Sequence, residues 1–357
     1  MATVANLSLN DDKNKESKVN AAVFILSQNT DVRRTYLKTA LYFLFRNFNA
    51  ECKYPVIIFH EGDFTSDAQT EIINGIRKSC RSLVTFRALD AGDFTVPDHI
   101  DKDKMRRCIA TKPAPYWRNE AYRNMCRWWL VHMPKYASGY DYVMRIDDDS
   151  FIEEPTPDLF KWASDKKLVY ASNLLHTDCG MCNYGMMEFF QKKFPARSED
   201  ISKMFIPQQI PSRTVQVHPF RTLLSITQDP MPQIDEMITI QMPVIFYNNF
   251  FITKSSFWQR PDVQKLIKEI DENGSIYYFR WGDAPLHTLI VQLLATPDEV
   301  SRSVFKYSKR LQRESFLGNT GMWHDYMPTE YNNSSCITDQ PIQQVQQDQM
   351  QMQRLQQ

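Results

Sequence analysis

Short apolar runs that end on polar or acidic residues recur along the chain and alternate with segments of helical periodicity. The first run is AAVFIL at 21–26, followed by SQNTD, and the second is VIIF at 56–59, followed by HEGDF. Between them, Leu37, Leu41 and Leu44 repeat at the spacing of one helix face, within a helix predicted over 32–49. A second helical pattern runs from about 66 to 79, and SLVTFRAL at 82–89 follows it. This alternation predicts an α/β fold around a largely parallel sheet, with ligands at the carboxyl ends of the strands.

One strand candidate, DYVMRI at 141–146, runs directly into Asp147, Asp148 and Asp149. Side chains alternate along extended backbone, so Asp147 and Asp149 are expected on one side and Asp148 on the other. Two carboxylates side by side repel each other, and a shared Mg²⁺ or Mn²⁺ would keep both ionised. The alternative is an acidic turn that faces solvent or caps a helix. The motif alone fits three classes of metal-dependent enzyme. One is a transferase that acts on a nucleotide-sugar, and the other two are a hydrolase and a phosphotransferase.

Composition limits the classes of binding partner and indicates where the folded domain begins and ends. Lysine plus arginine and aspartate plus glutamate both total 42, so no global field favours nucleic acid or an anionic membrane. The apolar stretches fall short of the roughly 20 residues that a membrane span needs, and we predict none. We expect a polar leader at 1–20 and a glutamine-rich tail at 336–357, both disordered, around a single domain at 21–335.

Two longer motifs carry a family likeness. YRNMCRW at 122–128 and RWGDAPLH at 280–287 resemble the fungal Golgi α-1,2-mannosyltransferases of glycosyltransferase family 15. The resemblance implies a GT-A-like nucleotide-sugar transferase fold, with a mixed, mostly parallel central sheet flanked by helices. It also implies a GDP-mannose donor, a mannose-bearing glycan acceptor, Mn²⁺ (or Mg²⁺) and retention of anomeric configuration. Family members have an N-terminal membrane anchor in the Golgi, which this sequence does not show.

The donor-site candidates come from the first motif and from the ends of the first strands. By resemblance, the hydroxyl of Tyr122 reaches a donor phosphate. Arg123 and Arg127 share a helix face and could clamp a diphosphate, or they could be solvated residues of an amphipathic helix. A second group of candidates consists of polar residues that follow the strands and are either nucleotide ligands or ordinary loop residues: Gln28, Asn29, Arg33, Glu61, Asp63 and Asp148.

The second motif supplies the catalytic and acceptor candidates. Asp283 opens an apolar helical segment, where a carboxylate could cap the free amides. By resemblance it lies in the active site and hydrogen-bonds the sugar or an acceptor hydroxyl. Arg280 and Trp281 could form an acceptor platform or pack the entrance of that helix, and we assign Asn249 to the acceptor side with them.

The metal site and the catalytic group show departures from the family. The family strand ends in Arg-x-Glu-Pro-Asp, so Asp147 stands where the metal-binding glutamate is expected, with Asp149 beside it. A downstream histidine completes the family site, and His324 is the candidate, although it could be an ordinary surface histidine. The family string NFEI reads NFFI at 249–252 here, so Phe251 replaces a glutamate proposed as nucleophile or stabiliser.

This replacement leaves three readings open. Either the leaving diphosphate takes the acceptor proton in a front-side departure, or Asp235, Glu236 or Asp283 substitutes for the glutamate. Otherwise the chain is a donor- or glycan-binding relative with impaired catalysis. A transferase that uses another nucleotide-sugar is a further alternative.

Overall fold

A seven-stranded sheet forms the centre of the computed structural model, which describes residues 18–110, 118–211, 236–302, 305, 307–311 and 322–326. Its strand order is β11-β6-β10-β4-β1-β2-β3, and two three-stranded sheets, β13-β12-β5 and β7-β9-β8, flank it. The strands are β1 Ala21–Leu26, β2 Val56–His60, β3 Val84–Ala88, β4 Tyr142–Ile146, β5 Ser150–Ile152, β6 Tyr170–Ser172, β7 Leu175–Thr177, β8 Phe205–Pro211, β9 Met237–Phe246, β10 Phe250–Lys254, β11 Val300–Arg302, β12 Tyr307–Leu311 and β13 Met322–Tyr326.

Helices connect and cover these strands. They are α1 Asp31–Leu44, α2 Ala50–Cys52, α3 Ser66–Asn74, α4 Lys102–Ala110, α5 Glu120–Arg127, α6 Met133–Ala137, α7 Leu159–Asp165, α8 Met186–Lys193, α9 Ser198–Lys203, α10 Ser255–Trp258, α11 Pro261–Asn273, α12 Ser275–Tyr278 and α13 Asp283–Leu294. Two π-helical turns, Phe45–Asn49 and Trp128–His132, continue α1 and α5.

The central sheet is mixed but mostly parallel, as expected for a GT-A-like fold. Strands β1, β2, β3 and β4 are parallel neighbours, and only β10 runs against its two neighbours, β4 and β6. Strands β4 and β10 are antiparallel, and their register places Arg145 directly opposite Phe251. The carboxyl ends of β1, β2 and β4 meet at one edge, where the predicted polar residues follow them.

Both faces of this sheet are covered by apolar layers. In β1, Ala22 and Phe24 join one hydrophobic cluster, while Val23 and Ile25 join the other, and all four side chains are buried. A strand buried on both faces reads as a continuous apolar run, which explains AAVFIL. Leu37 lies on the buried face of α1 within the second cluster.

The small sheet made of β5, β12 and β13 lies next to the acidic triplet. β5 begins directly after Asp149, and β12 pairs with it so that Lys309 lies opposite Ser150. This pairing brings a residue from far along the chain to the acidic turn. β13 then pairs with β12, and the backbone of His324 lies opposite Lys309.

The helix boundaries differ modestly from the predicted ones. α1 begins at Asp31, where the hydroxyl of Thr30 accepts a hydrogen bond from the amide of Arg33. α3 ends at Asn74 rather than near 79, because Gly75 follows and the chain turns into a short 3₁₀ segment at Lys78–Leu83. Among the described residues, none of the helices combines the length and apolar character needed to cross a bilayer. The predicted leader at 1–20 falls almost entirely, and the predicted tail entirely, outside the described residues.

Candidate active site

The acidic triplet forms a buried turn between β4 and β5. The amide of Asp147 donates to the carbonyl of Asn249 at 3.0 Å, and the amide of Ser150 donates to the carbonyl of Asp147 at 3.1 Å. Asp148 is 4% exposed and Asp149 is 7% exposed. Asp147 and Asp149 do converge on a common partner, but a turn brings them together rather than the extended backbone that we expected.

Three cations neutralise the three carboxylates. Asp147 accepts from Arg145 Nε at 2.9 Å and from Lys309 Nζ at 2.8 Å. Asp148 accepts from Arg33 Nη1 at 2.8 Å and from the hydroxyl of Ser27 at 2.7 Å. The remaining acid, Asp149, lies 3.2 Å from Lys309 Nζ and 3.4 Å from Arg33 Nη1. The repulsion within the triplet is therefore offset by side chains of this chain.

Burial and charge act in opposite directions on these groups. Burial raises the pKa of Asp148 to about 6, although Arg33 opposes the shift. Burial also acts to raise the pKa of Asp147, but Arg145 and Lys309 outweigh it and the pKa falls below its ordinary value. For Lys309, burial favours the neutral amine, yet Asp147 and Asp149 raise its pKa well above the usual range. Lys309 therefore stays protonated.

Arg145 links the acidic turn to the start of α13. Its Nη1 atom lies 2.5 Å from Asp283 Oδ2, and its Nε atom holds Asp147. Asn248 Nδ2 donates to the same Asp283 oxygen at 2.8 Å. Asp283 is the first residue of α13 and is 3% exposed, and its side chain bonds these two partners rather than capping the helix. One guanidinium thus joins the predicted catalytic aspartate to the predicted metal-binding one.

Arg280 and Tyr122 form a second polar cluster. Arg280 Nη2 contacts both carboxylate oxygens of Asp178, at 3.0 and 3.2 Å, and its Nη1 lies 3.5 Å from the hydroxyl of Tyr122. Burial raises the pKa of Tyr122 well above its ordinary value, with Asp283 among the charges that act on it. The backbone of Arg280 is left-handed, with φ of 67°, a conformation that an arginine adopts only when its surroundings enforce it.

The loops after β1 and β2 are tied together. The amide of Asn29 donates to Asp63 Oδ2 at 2.9 Å, and its side-chain Nδ2 donates to the carbonyl of Asp63 at 2.6 Å. Glu61 lies in the same loop, and partial desolvation of its carboxyl raises its pKa although a hydrogen bond from Gln28 opposes the shift. These three candidates, Asn29, Glu61 and Asp63, share the sheet edge that carries the acidic turn.

The arginines of α5 hold helices together instead of meeting the acidic turn. Arg123 Nε donates to the carbonyl of Tyr277 at 2.9 Å. Arg127 forms a bidentate pair with Asp271, at 2.7 and 2.9 Å. The fork of Arg127 binds a carboxylate of α11 and Arg123 is fully buried, so neither arginine is a solvated surface residue, and the diphosphate clamp stays a prediction.

Trp281 also has a packing role. It is 2% exposed, its Nε1 donates to the carbonyl of Tyr184 at 3.0 Å, and its ring packs against Phe189. These contacts are those of a residue that packs the helix entrance, and the acceptor role of Trp281 stays a prediction. Asn249 is buried too, and its Nδ2 lies 3.4 Å from the hydroxyl of Ser150.

Comparison with known proteins identifies the family. The family model for glycolipid 2-alpha-mannosyltransferases matches residues 2–194 and 233–307, which is most of the chain. This chain belongs to that family. It is therefore a glycosyltransferase of the mannosyltransferase type.

Individual relatives of this glycolipid 2-alpha-mannosyltransferase family are distant. The O-glycoside alpha-1,2-mannosyltransferase omh1 of Schizosaccharomyces pombe is 24% identical over 345 residues, covering 90% of this chain and 77% of that relative. The glycolipid 2-alpha-mannosyltransferase of Saccharomyces cerevisiae is 22% identical over 342 residues, covering 92% and 67% respectively. At this identity the side chains that differ from the family pattern deserve individual inspection.

Two solved structures share the fold. The mannosyltransferase Ktr4p from S. cerevisiae in complex with GDP has a TM-score of 0.63 at 19% identity, covering 81% of this chain and 71% of that chain. Core-mannan synthase A from Aspergillus fumigatus, in its Mn/GDP form, has a TM-score of 0.64 at 18% identity, covering 86% and 80%. The GT-A-like fold predicted from the two motifs is confirmed.

Phe251, which stands where the family resemblance implies a glutamate, is part of the core. Phe251 is fully buried and stacks on Tyr170, with ring centroids 5.2 Å apart. It also packs edge-on against Trp129 at 6.0 Å and His287 at 5.4 Å. No carboxylate is available at this place in the site.

The described side chains do not fit a divalent ion as they stand. Asp147 and Asp149 both face the ammonium of Lys309, and within the described ranges no group of three or more His, Cys, Asp or Glu is arranged to hold a metal. The side chain of His324 lies outside the described residues, so its predicted role stays a prediction.

Besides Asn248 and Asp178, sequence reasoning missed one site residue at the acidic turn, Lys309. It belongs to no motif and lies 162 positions from Asp147. Arg145 and Arg33 were visible in the quoted segments, yet only their contacts show what each one binds. Pairing of β12 with β5 is what brings Lys309 into the site, and a short β-strand of that kind has little sequence signal.

Proposed function

We propose that this chain transfers mannose from GDP-mannose to a mannose-bearing glycan, forming an α-1,2 linkage with retention of configuration. Family membership supports mannosyl transfer. The GDP held by the two solved relatives supports the donor, and the α-1,2- and 2-alpha-mannosyltransferase activities of omh1 and of the S. cerevisiae relative support the linkage.

The observation that carries the proposal is the bridge from Asp147 through Arg145 to Asp283. It joins the acidic turn, where a diphosphate would lie, to a buried carboxylate at the start of α13. A carboxylate fixed by Arg145 and Asn248 is a hydrogen-bond acceptor of defined direction. We assign Asp283 to a hydroxyl of the transferred sugar or of the acceptor.

The remaining candidates divide between the two substrates. Arg33 and Lys309 carry N–H donors at the acidic turn, and such donors stabilise the charge that develops on a departing diphosphate. Asn29, Glu61 and Asp63 would contact the nucleoside, because their loops follow β1 and β2, the two strands next to each other on one side of β4. Tyr122, whose hydroxyl lies 3.5 Å from Arg280 Nη1, is assigned to a donor phosphate. Arg280 and Asn249 are assigned to the acceptor, with Asn249 beside Ser150.

The replacement by Phe251 favours a front-side departure. In that route the bond between the sugar C1 and the GDP oxygen breaks while the acceptor oxygen approaches the same face, and the leaving diphosphate takes the acceptor proton. Of the substitute carboxylates, Glu236 is exposed beside β9 and Asp235 lies outside the described residues. Asp283 is engaged by Arg145 and Asn248. No step runs through a metal ion, because the contacts of Asp147 and Asp149 do not support one, although a relative was solved with Mn and GDP.

Transfer can be tested with the purified chain, GDP-mannose and methyl α-mannoside, by measuring both GDP release and the disaccharide. Wild type should form the α-1,2-linked product. Asp283→Asn should lower the rate by roughly 100-fold or more, the usual effect of removing an oriented polar group from a transition state. The matched control is Asp262→Asn, at a surface pair with Arg260, which should keep full activity.

A second candidate function is donor binding with impaired turnover, and Phe251 is the observation that favours it. GDP would then bind, as measured by calorimetric titration, while no mannose is transferred to any acceptor. Product formation by the wild type excludes this candidate, and GDP binding without product in a panel of mannosides would establish it.

A further inference from the structure

We infer that Lys309 is the resident cation of the acidic turn, and that its ammonium takes the position between Asp147 and Asp149 that a divalent metal ion would need. The chain would accordingly bind a nucleoside diphosphate without a metal. The identity of that ligand rests on the proposed function, whereas the exclusion of metal by Lys309 does not.

The geometry is that of a bridging cation. Lys309 Nζ is 2.8 Å from Asp147 Oδ2 and 3.2 Å from Asp149 Oδ1, and the side chain is 12% exposed. The pairing of β12 with β5 sets Lys309 opposite Ser150, one residue after the triplet. The position of this side chain is therefore fixed by backbone hydrogen bonds rather than by a chance approach of a surface lysine.

The charge balance leaves little reason for a second cation. Arg145 and Arg33 hold the outer sides of the triplet, and Lys309 holds the space between its first and third members. A divalent ion at Asp147 and Asp149 would lie against the ammonium and would have to displace it. Displacement would break two buried ion pairs and leave the ammonium buried without its carboxylate partners.

An ammonium group can also serve the leaving group. It has three N–H donors, of which one lies within hydrogen-bond distance of Asp147 and a second can face Asp149, so a third remains for a phosphate oxygen. A monovalent cation neutralises less charge than Mn²⁺ does. The expected signature is modest GDP affinity that is insensitive to chelators.

The first experiment measures Mn²⁺ binding without nucleotide, by electron paramagnetic resonance of the free ion. Wild type and the surface control Lys268→Met should leave Mn²⁺ free, because Lys309 occupies the position. Lys309→Met vacates the carboxylate pair and should bind Mn²⁺ at least about tenfold more tightly than wild type, since carboxylate oxygens are preferred ligands. Circular dichroism checks that the variant is folded, and Lys309→Arg, which keeps the charge, should behave as wild type.

Two results of this experiment would overturn the inference. One is a stoichiometric Mn²⁺ in wild type that disappears with Asp147→Asn or His324→Ala, which would mean a metal site assembled despite Lys309. The other is no gain of Mn²⁺ by folded Lys309→Met, which would mean that Lys309 is not the group that keeps metal out.

The second experiment titrates GDP calorimetrically in EDTA and in Mn²⁺. Wild-type affinity should agree between the two within about threefold, while Lys309→Met should lose about tenfold or more in EDTA and recover with Mn²⁺. A wild-type affinity that depends tenfold or more on Mn²⁺ contradicts the inference. If GDP binds under neither condition, the proposed function fails, and the Mn²⁺ measurement still decides the role of Lys309.

Discussion

Arg145 separates two regions of opposite character. On one side, its guanidinium pairs with Asp147 and Asp283, and every charge has a partner. On the other, the same group lies over the ring of Trp129 at 4.1 Å, and Phe251 faces it from β10. The ionic region depends on compensation of buried charge, the aromatic region on packing. Polar groups therefore cluster at the strand ends, while Phe251, directly opposite Arg145 on β10, belongs to the packed core.

The largest effect is expected from removing the group that the two regions share. Arg145→Met leaves Asp147 and Asp283 buried with fewer cationic partners, and loss of one partner of a buried pair costs roughly 3–5 kcal/mol. The free energy of unfolding, from urea titration at pH 7, should fall by that amount. Arg46→Met is the control, since Arg46 is exposed and its guanidinium donates to the hydroxyl of Tyr42 on the same helical surface. Equal stability of the two variants would mean that the ionic region is not compensated through Arg145.

A smaller effect follows from the pH dependence of the ionic region. The pKa of Asp148 is about 6 in the folded chain, against an ordinary value of 3.8. The folded state therefore binds its proton more tightly than the unfolded state does. The contribution of this group is fully present below pH 4 and is lost as pH rises through 6, with a limit of about 3 kcal/mol.

Asp148→Asn removes this titration. Unfolding titrations from pH 4 to pH 7 should show wild type losing stability relative to the variant as pH rises. Asp147 titrates in the opposite sense in both proteins, so only their difference is informative. A difference that stays constant across this range would show that Asp148 is ionised throughout.

The smallest effect is expected in the aromatic region. Phe251→Leu replaces a buried aromatic ring with a smaller aliphatic side chain. This should lower the free energy of unfolding by roughly 1–2 kcal/mol, a modest loss because the neighbouring side chains can partly repack. GDP affinity should not change, since packing rather than ligand contact is the role of this side chain. A loss of affinity comparable to that of Lys309→Met would show that the two regions are not functionally separate.

Much of the fold was predictable because its signals are local. AAVFIL and DYVMRI read as strands since a strand buried on both faces needs apolar residues throughout, and the helix of Leu37 and Leu41 has its own periodicity. The predicted ends of the helices were less accurate. α3 ends before Gly75, and α1 gives way to the π-helical turn at Phe45–Asn49. No local pattern predicted that β10 runs antiparallel to β4 and β6. The family likeness implied only that the central sheet is mixed.

The site was predictable in part. Asp147, Asp149 and Asp283 do belong to one connected network, as strand ends and the RWGDAPLH motif indicated. Arg127 was assigned to the donor from its spacing with Arg123 and Trp281 to the acceptor from its place in RWGDAPLH, and in the structure they are held by Asp271 and Tyr184. A guanidinium or an indole has the same chemistry in a core as in a site, so only its neighbours distinguish the two.

The sequence by itself determined that three carboxylates would end a buried strand of an α/β sheet, and that their repulsion needed positive charge nearby. Periodicity and residue type are properties of adjacent positions, and they suffice for that statement. Only the tertiary structure decided which positively charged residues lie next to the carboxylates. Lys309 reaches the triplet through pairing of β12 with β5, and pairing between distant segments depends on the whole packed sheet rather than on any local pattern.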